Sequence, residues 1–220
     1  QYNISYMTID TDGTPLQVSA KLLVPSYNTE LDLVIYLHGS TSDYDDAPTY
    51  TYMDVNTLDT NLTSHTESLL LTFMAAEGVA VLMPDYIGFG DSEGLHPYVH
   101  AESLAISSID GLRSSFNLSD SAAVSFTLSE DYYISGYSEG GYAAMAMHKE
   151  MINNSSDYSD IDTDLLQAVI PGAPPCSLST SMANEIINTI KCVNYESLEK
   201  DLHKEFKEYR ICLLYTSPSP

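Results

Sequence analysis

The sequence predicts an α/β fold, a mostly parallel central sheet with helices on both faces, and three observations carry that expectation. Short apolar runs alternate with segments of helical periodicity; Gly-containing turns close the runs; and a β-rich stretch precedes the alternation. Strands that alternate with helices build parallel sheets, because each parallel crossover needs a long connection to return the chain to the same end.

Taken in order, "YNISYMTIDTDG" and "LQVSAKLLVP" form a hairpin, with Asp12-Gly13 at the bend. "LDLVIYLHGS" is a buried parallel strand ending in His-Gly. "SHTESLLLTFMAAEG" is a helix opened by a capping box of Ser64 and Glu67 and closed by Gly78. "VAVLMPDYIGFGDSEG" is a second buried strand running into a Gly-rich loop. In "HAESLAISSIDGLRSSF", Leu104, Ile106, Ile109 and Leu112 fall at helical spacing. "DYYISG" is the third buried strand, "GGYAAMAMHKEMI" its helix and "LLQAVIPGAPP" the fourth strand. The polar connection "NNSSDYSDIDTD" sets Asp160, Asp162 and Asp164 at the first ligand spacings of a calcium loop. Leu165 stands where the turn glycine is needed and no bidentate Glu follows, so it reads as a solvated acidic loop and no metal is expected.

A chain of 220 residues can bury a good core in one domain. Its 31 Asp and Glu against 8 Lys and Arg give a formal charge of −23. Such a surface repels nucleic acid and anionic membranes, and it suits a salty, extracellular or periplasmic setting of the kind secretion provides. No apolar run is long enough for stable membrane insertion. The three cysteines show no metal-ligand spacing; a Cys176–Cys192 disulfide is open to an oxidising compartment. The chain opens on Gln1 with no signal-like apolar segment, so its start reads as processed or missing.

The chemistry concentrates at Gly136-Tyr137-Ser138-Glu139-Gly140. The bare Gly-x-Ser-x-Gly pattern arises by chance in roughly 8% of chains this long, so its context has to carry it. Here an apolar strand precedes it, an Ala/Met-rich helix follows it and Gly141 allows close helix packing. A serine at such a strand-to-helix turn has a strained backbone, and side chains at Gly136 and Gly140 would clash. The N-terminus of the following helix favours developing negative charge, and the Glu139 N–H is placed to donate to an oxyanion. Ser40, in the loop after the third strand, offers the second N–H. His38 reads as structural, bonded to the loop backbone rather than acting as the base.

Together "YLHGS", "DDAPTYTY", "PDYIGFGDSEGLHPYVHAESLAISSIDGLR" and "GYSEGG" resemble the α/β-hydrolase superfamily and, within it, the secretory lipase family, over residues 1 to 190. The resemblance implies a carboxylic-ester hydrolase acting on small acyl esters or lipids, with Ser138 as nucleophile and no cofactor. It also implies that Asp45, just before Asp46-Ala47-Pro48, helps form the oxyanion hole, which makes Asp45 and Ser40 rival candidates. Where the family often has a cysteine, this chain has Asp46, which puts the anchoring of that loop in question. Asp85, Tyr86, Asp91, His96 and His100 lie in the resembling block and read as loop scaffold.

Chain order in this fold is Ser, acid, His. His148 lies ten residues past Ser138, about 2.8 helical turns away, and cannot reach back; His203 lies in a charged stretch that reads as cap helix. The catalytic acid and His are therefore expected outside this chain, together with the last strands of the sheet. "CLLYTSPSP" has no periodicity and matches the in-frame translation of a common transposase-based sequencing adapter. The expected organisation is 1–175 as the N-terminal part of the core, 176–211 as the start of a helical cap and 212–220 as a non-native tail. Two alternatives stay open: a peptidase of the same fold, such as a prolyl peptidase, and a non-catalytic binding protein on the same scaffold.

Overall fold

The computed structural model describes residues 1–27, 30–41, 43–51, 66–178 and 211–212. Strands β1 (Tyr2–Ile9) and β2 (Pro15–Leu23) form the expected hairpin. Gly13 takes φ +84° at the bend, and Asp12 accepts from the N–H and hydroxyl of Thr14, which lowers the Asp12 pKa. Then come β3 (Glu30–Leu37), α1 (Thr66–Ala76), β4 (Ala80–Pro84), the short β5 (His96–Pro97) and α2 (Ala101–Ser119). They are followed by β6 (Thr127–Tyr137), α3 (Glu139–Asn153), β7 (Leu166–Gly172) and the short β8 (Ile211–Cys212).

The main sheet has the order β1-β2-β4-β3-β6-β7. β1, β2 and β4 pair antiparallel; β4, β3, β6 and β7 pair parallel. β5 pairs with β8 in a separate parallel bridge, His96 opposite Ile211. Strand alternation sorts the core into two faces. Leu22, Leu82, Ile35 and Ile134 face the layer of α2 and α3, where Leu104, Ile109, Leu112, Ala143 and Met147 meet them. Leu23, Val81 and Met83 face the other way, onto Leu71 and Ala75 of α1. Helices thus cover both faces, as expected. Among the described residues no helix is long and apolar enough to cross a membrane.

Three local readings change. β6 begins at Thr127 rather than Asp131, because Thr127 and Leu128 pair with Glu30 and Leu31 before a register shift. That extension has no apolar pattern to announce it. Of the capping box, Ser64 lies outside the described residues, and Glu67 turns instead to the loop after β3. α2 buries serines that the apolar spacing passed over. Three of them, Ser107, Ser108 and Ser115, return their hydroxyls to carbonyls three or four residues back, which lets them sit in the core.

In the acidic connection, Asp160 makes a two-oxygen contact with Arg113 (2.5 and 2.9 Å), and Asp162 accepts from the Asp164 N–H at 2.9 Å. The loop is pinned to α2 as well as solvated. Cys176 is exposed, and Cys192 and His203 lie outside the described residues.

Candidate active site

β6 ends and α3 begins across one residue, Ser138, at φ 57° and ψ −118°. An L residue holds such a backbone only where its surroundings force it. The forcing contacts are visible. The Ser138 N–H donates to the Gly172 carbonyl at the end of β7 (2.9 Å), and the Ser138 carbonyl accepts from Tyr142 N–H (3.1 Å). A Cβ on Gly140 would lie 1.8 Å from the Leu37 carbonyl oxygen, and one on Gly136 would lie 2.3 Å from the Gly140 oxygen. Only glycine allows β3, β6 and α3 to approach this closely. The Ser138 side chain makes no capping hydrogen bond to α3, so its hydroxyl is not spent on the helix.

Among the described residues four non-glycines have positive φ: Tyr86, Val99, Ser138 and Ala173. Ser138 is the elbow itself, Ala173 follows the glycine that accepts its N–H, and the N–H of Val99 points at the Glu139 carboxylate. Tyr86 donates to the His38 carbonyl (3.1 Å) and stacks on the His38 ring at 4.2 Å. Strain is thus concentrated where the two loops meet.

The loop after β3 lies against the elbow: a Cβ on Gly39 would be 3.8 Å from Ser138 Cβ and 3.4 Å from the Tyr137 carbonyl oxygen. Gly39 N–H donates to Glu67 Oε2 at 3.2 Å, so that donor is already occupied. The hydroxyl of Tyr36 is pushed to a raised pKa by burial first and by the Glu67 carboxylate second. Ser40 is exposed and its hydroxyl donates to Tyr98 Oη (3.0 Å). Asp45 is exposed in a 3-10 turn spanning Tyr44–Asp46, and its N–H donates to Asp43 Oδ1 at 3.1 Å. Asp46 accepts from Thr41 at 3.3 Å, and Tyr44 and Tyr50 both donate to the Gly90 carbonyl. These bonds anchor the loop without a cysteine.

His38 is bonded to backbone, as read: Nδ1 contacts the Gly39 oxygen (2.7 Å) and Nε2 the Asp85 oxygen (3.2 Å). Asp85 is fully buried and accepts from Ser19 Oγ (2.6 Å), Thr49 N–H (2.9 Å) and the Thr49 hydroxyl. Burial raises its pKa, against the pull of those hydrogen bonds. Asp91 accepts from Ser5, and His100 caps α2 by accepting from Ser103 N–H. His96, read as scaffold, is buried beside Glu139. Its Nε2 lies 2.7 Å from Glu139 Oε1, directly behind the elbow. Sequence reasoning missed this pair, as it missed Glu67. His96 and Glu139 stand 43 positions apart, which leaves no local signal.

His148 is carried away from Ser138 along α3, to a groove shared with Met145, Ile152, Val169 and Pro171. Elbow, helix N-terminus and adjoining loop together can present a hydroxyl nucleophile beside backbone N–H donors.

No protein-family model and no curated protein matches the chain. Solved structures do. A Legionella pneumophila protein classed as a hydrolase is 31% identical with a TM-score of 0.65, over 79% of this chain and 42% of that one. The rice cell wall degrading esterase LipA from Xanthomonas oryzae is 25% identical with a TM-score of 0.60, over 80% of this chain and 42% of that one. A ligand-bound form of LipA matches at 25% identity and a TM-score of 0.59, over 80% of this chain and 42% of that one. The chain therefore spans 42% of the length of these structures. The fold is that of the α/β-hydrolases.

Proposed function

We propose that the protein containing this chain is a serine carboxylic-ester hydrolase of the secretory lipase kind, with Ser138 as nucleophile. One observation carries the reading: Ser138 sits at φ 57° on a glycine-packed turn, at the N-terminus of α3 and beside the loop after β3. Its hydroxyl attacks an ester carbonyl, and the tetrahedral oxyanion is held by the N–H of Glu139 from the unpaired first turn of α3. For the second donor, Ser40 is favoured over Asp45. The Gly39 and Asp45 N–H groups already have carboxylate partners, and Ser40 directly follows Gly39, where a Cβ would lie 3.8 Å from Ser138 Cβ.

The general base and the acid that orients it come from residues beyond those described. Among the described histidines, His38, His96 and His100 are bonded elsewhere and His148 lies along α3. Without that base, an oxyanion hole and binding alone are expected to provide only a weak residual rate of ester turnover. The esterase neighbours support small acyl esters or lipids as substrates, and the acidic surface supports a secreted or periplasmic setting. No cofactor is needed for this chemistry.

The test is fluorophosphonate labelling of the full-length protein, paired with hydrolysis of short-chain p-nitrophenyl esters. Ser138→Ala is expected to abolish labelling and to lower kcat by about 10⁴-fold or more. A folded wild-type protein that neither labels nor hydrolyses would leave the binding-protein alternative in its place. Cleavage of proline-containing amides in preference to esters would favour the peptidase.

A further inference from the structure

Glu139 follows the nucleophile, and its carboxylate is buried against an imidazole: the His96 and Glu139 side chains are 1% and 2% accessible. The imidazole is fixed from both ends. Nδ1 lies 2.8 Å from the Ile87 carbonyl, which only accepts, so Nδ1 carries a hydrogen. Nε2 lies 2.7 Å from Glu139 Oε1, a distance at which two bare lone pairs would repel. One proton therefore sits between them. Whether it resides on Nε2 or on Oε1, the pair as a whole has no net charge. Tyr86 and Phe89 pack around the ring with centroids at 5.8 and 4.9 Å, so the ring has little room to move. The same carboxylate oxygen is approached at 3.4 Å by the N–H of Val99, a β-branched residue at φ 49°.

The placement has a consequence for an oxyanion hole. A lone carboxylate one residue from the nucleophile, in a site closed to water, would oppose negative charge developing at the Glu139 N–H. We infer that His96 is a positioning residue: by hydrogen bonding Glu139 and cancelling its charge, it aims the Glu139 N–H at the oxyanion with no negative charge behind it. The inference rests on the esterase reading of Ser138.

The experiment uses the full-length protein with p-nitrophenyl butyrate, comparing His96→Phe, His96→Gln, Glu139→Gln and the double variants. His96→Phe, which strands the carboxylate, is expected to lower kcat by about 10²-fold with KM within about threefold, the signature of a lost transition-state interaction. Glu139→Gln keeps a hydrogen bond without the charge and is expected to lower kcat by less than His96→Phe does. Adding Glu139→Gln to His96→Phe is expected to recover about tenfold or more of the loss, since the stranded charge is gone. If His96→Phe does not fold, His96→Gln replaces it, with a smaller loss and the same recovery. The inference is overturned if these His96 variants lower the melting temperature and leave kcat unchanged, or if removing the Glu139 charge recovers nothing. Wild-type hydrolysis that survives Ser138→Ala would strike the esterase reading instead. The pair is then read by NMR of ¹⁵N-labelled histidine: a hydrogen bond between Nε2 and Glu139, with its proton on either atom, supports the neutral pair, and an Nε2 that neither donates nor accepts a proton there overturns it.

Discussion

Two carboxylates are buried near the end of β3, and the molecule holds them in opposite ways. Asp85 is satisfied by Ser19 Oγ, Thr49 N–H and the Thr49 hydroxyl, none of them charged. Ser19 Oγ in turn accepts the Asp91 N–H (2.8 Å), so its own hydrogen is committed to Asp85. This cluster rivets three segments together: β2, the turn after β3 and the Gly-rich loop after β4. Glu139 has one principal partner, an imidazole able to share a proton with it. Uncharged donors make a buried acid a fastening, whose ionised form burial still opposes. A shared proton makes the other acid electrically silent, as a residue next to a nucleophile should be.

The largest effect is expected of Gly90→Ala. Gly90 has φ +58°, and a Cβ there would lie 2.0 Å from Asp85 Oδ2 and 2.3 Å from Ser19 Oγ. It is expected to cost about 3 kcal/mol or more in urea unfolding, combining backbone strain with overpacking of the cluster. A cost below about 1 kcal/mol would show that the Asp85 cluster yields easily and is no rivet.

A finer cut sets Asp85→Asn against Glu139→Gln. In the first, the new amide would turn a donor toward a hydroxyl or an N–H that is itself donating, at about 1–3 kcal/mol. In the second, the new amide keeps His96 as its partner, and the expected cost is less than about 1 kcal/mol. Equal losses in urea unfolding would erase the distinction between the two carboxylates.

The smallest effect is read in pH. Lys21, buried on β2, donates to the Thr51 carbonyl, and burial lowers its pKa to about 8 against a partial opposing pull from Asp85. The unfolded chain binds this proton up to the ordinary lysine range, so between those two values the unfolded state holds more protons. Stability from this group is complete above the unfolded pKa and is lost as pH falls toward about 8. Lys21→Met is therefore expected to flatten the rise in urea midpoint between about pH 8 and about 9.5, a range below the tyrosine titrations. Identical pH slopes in the two proteins would remove Lys21 as the cause.

Much of this was legible before the structure. Asp12-Gly13 marks a bend because a left-handed glycine suits it, and Gly13 takes φ +84°. The elbow was legible because its glycines, strand and helix are contiguous, and the contact of a Gly140 Cβ with Leu37 shows why they are required. The loop anchors were not. Asp46 replaces the expected cysteine, yet the loop is fastened by Thr41, Tyr44, Tyr50 and Thr49, each reaching a partner by a contact that no periodicity records.

The order of strands and helices along the chain, the helices on both faces of the sheet and the place of the glycine-flanked serine are all encoded locally. These follow from backbone sterics and burial over a few neighbouring residues, which a local pattern encodes. Three pairings depend on the folded chain instead: Glu67 occupies the Gly39 N–H, Asp85 ties β2 to two loops, and His96 meets Glu139. Each of those is a pairing of polar groups brought together across 28 to 66 residues by the sheet. A buried polar group must find a partner, but which one it finds depends on what the fold places within about 3 Å.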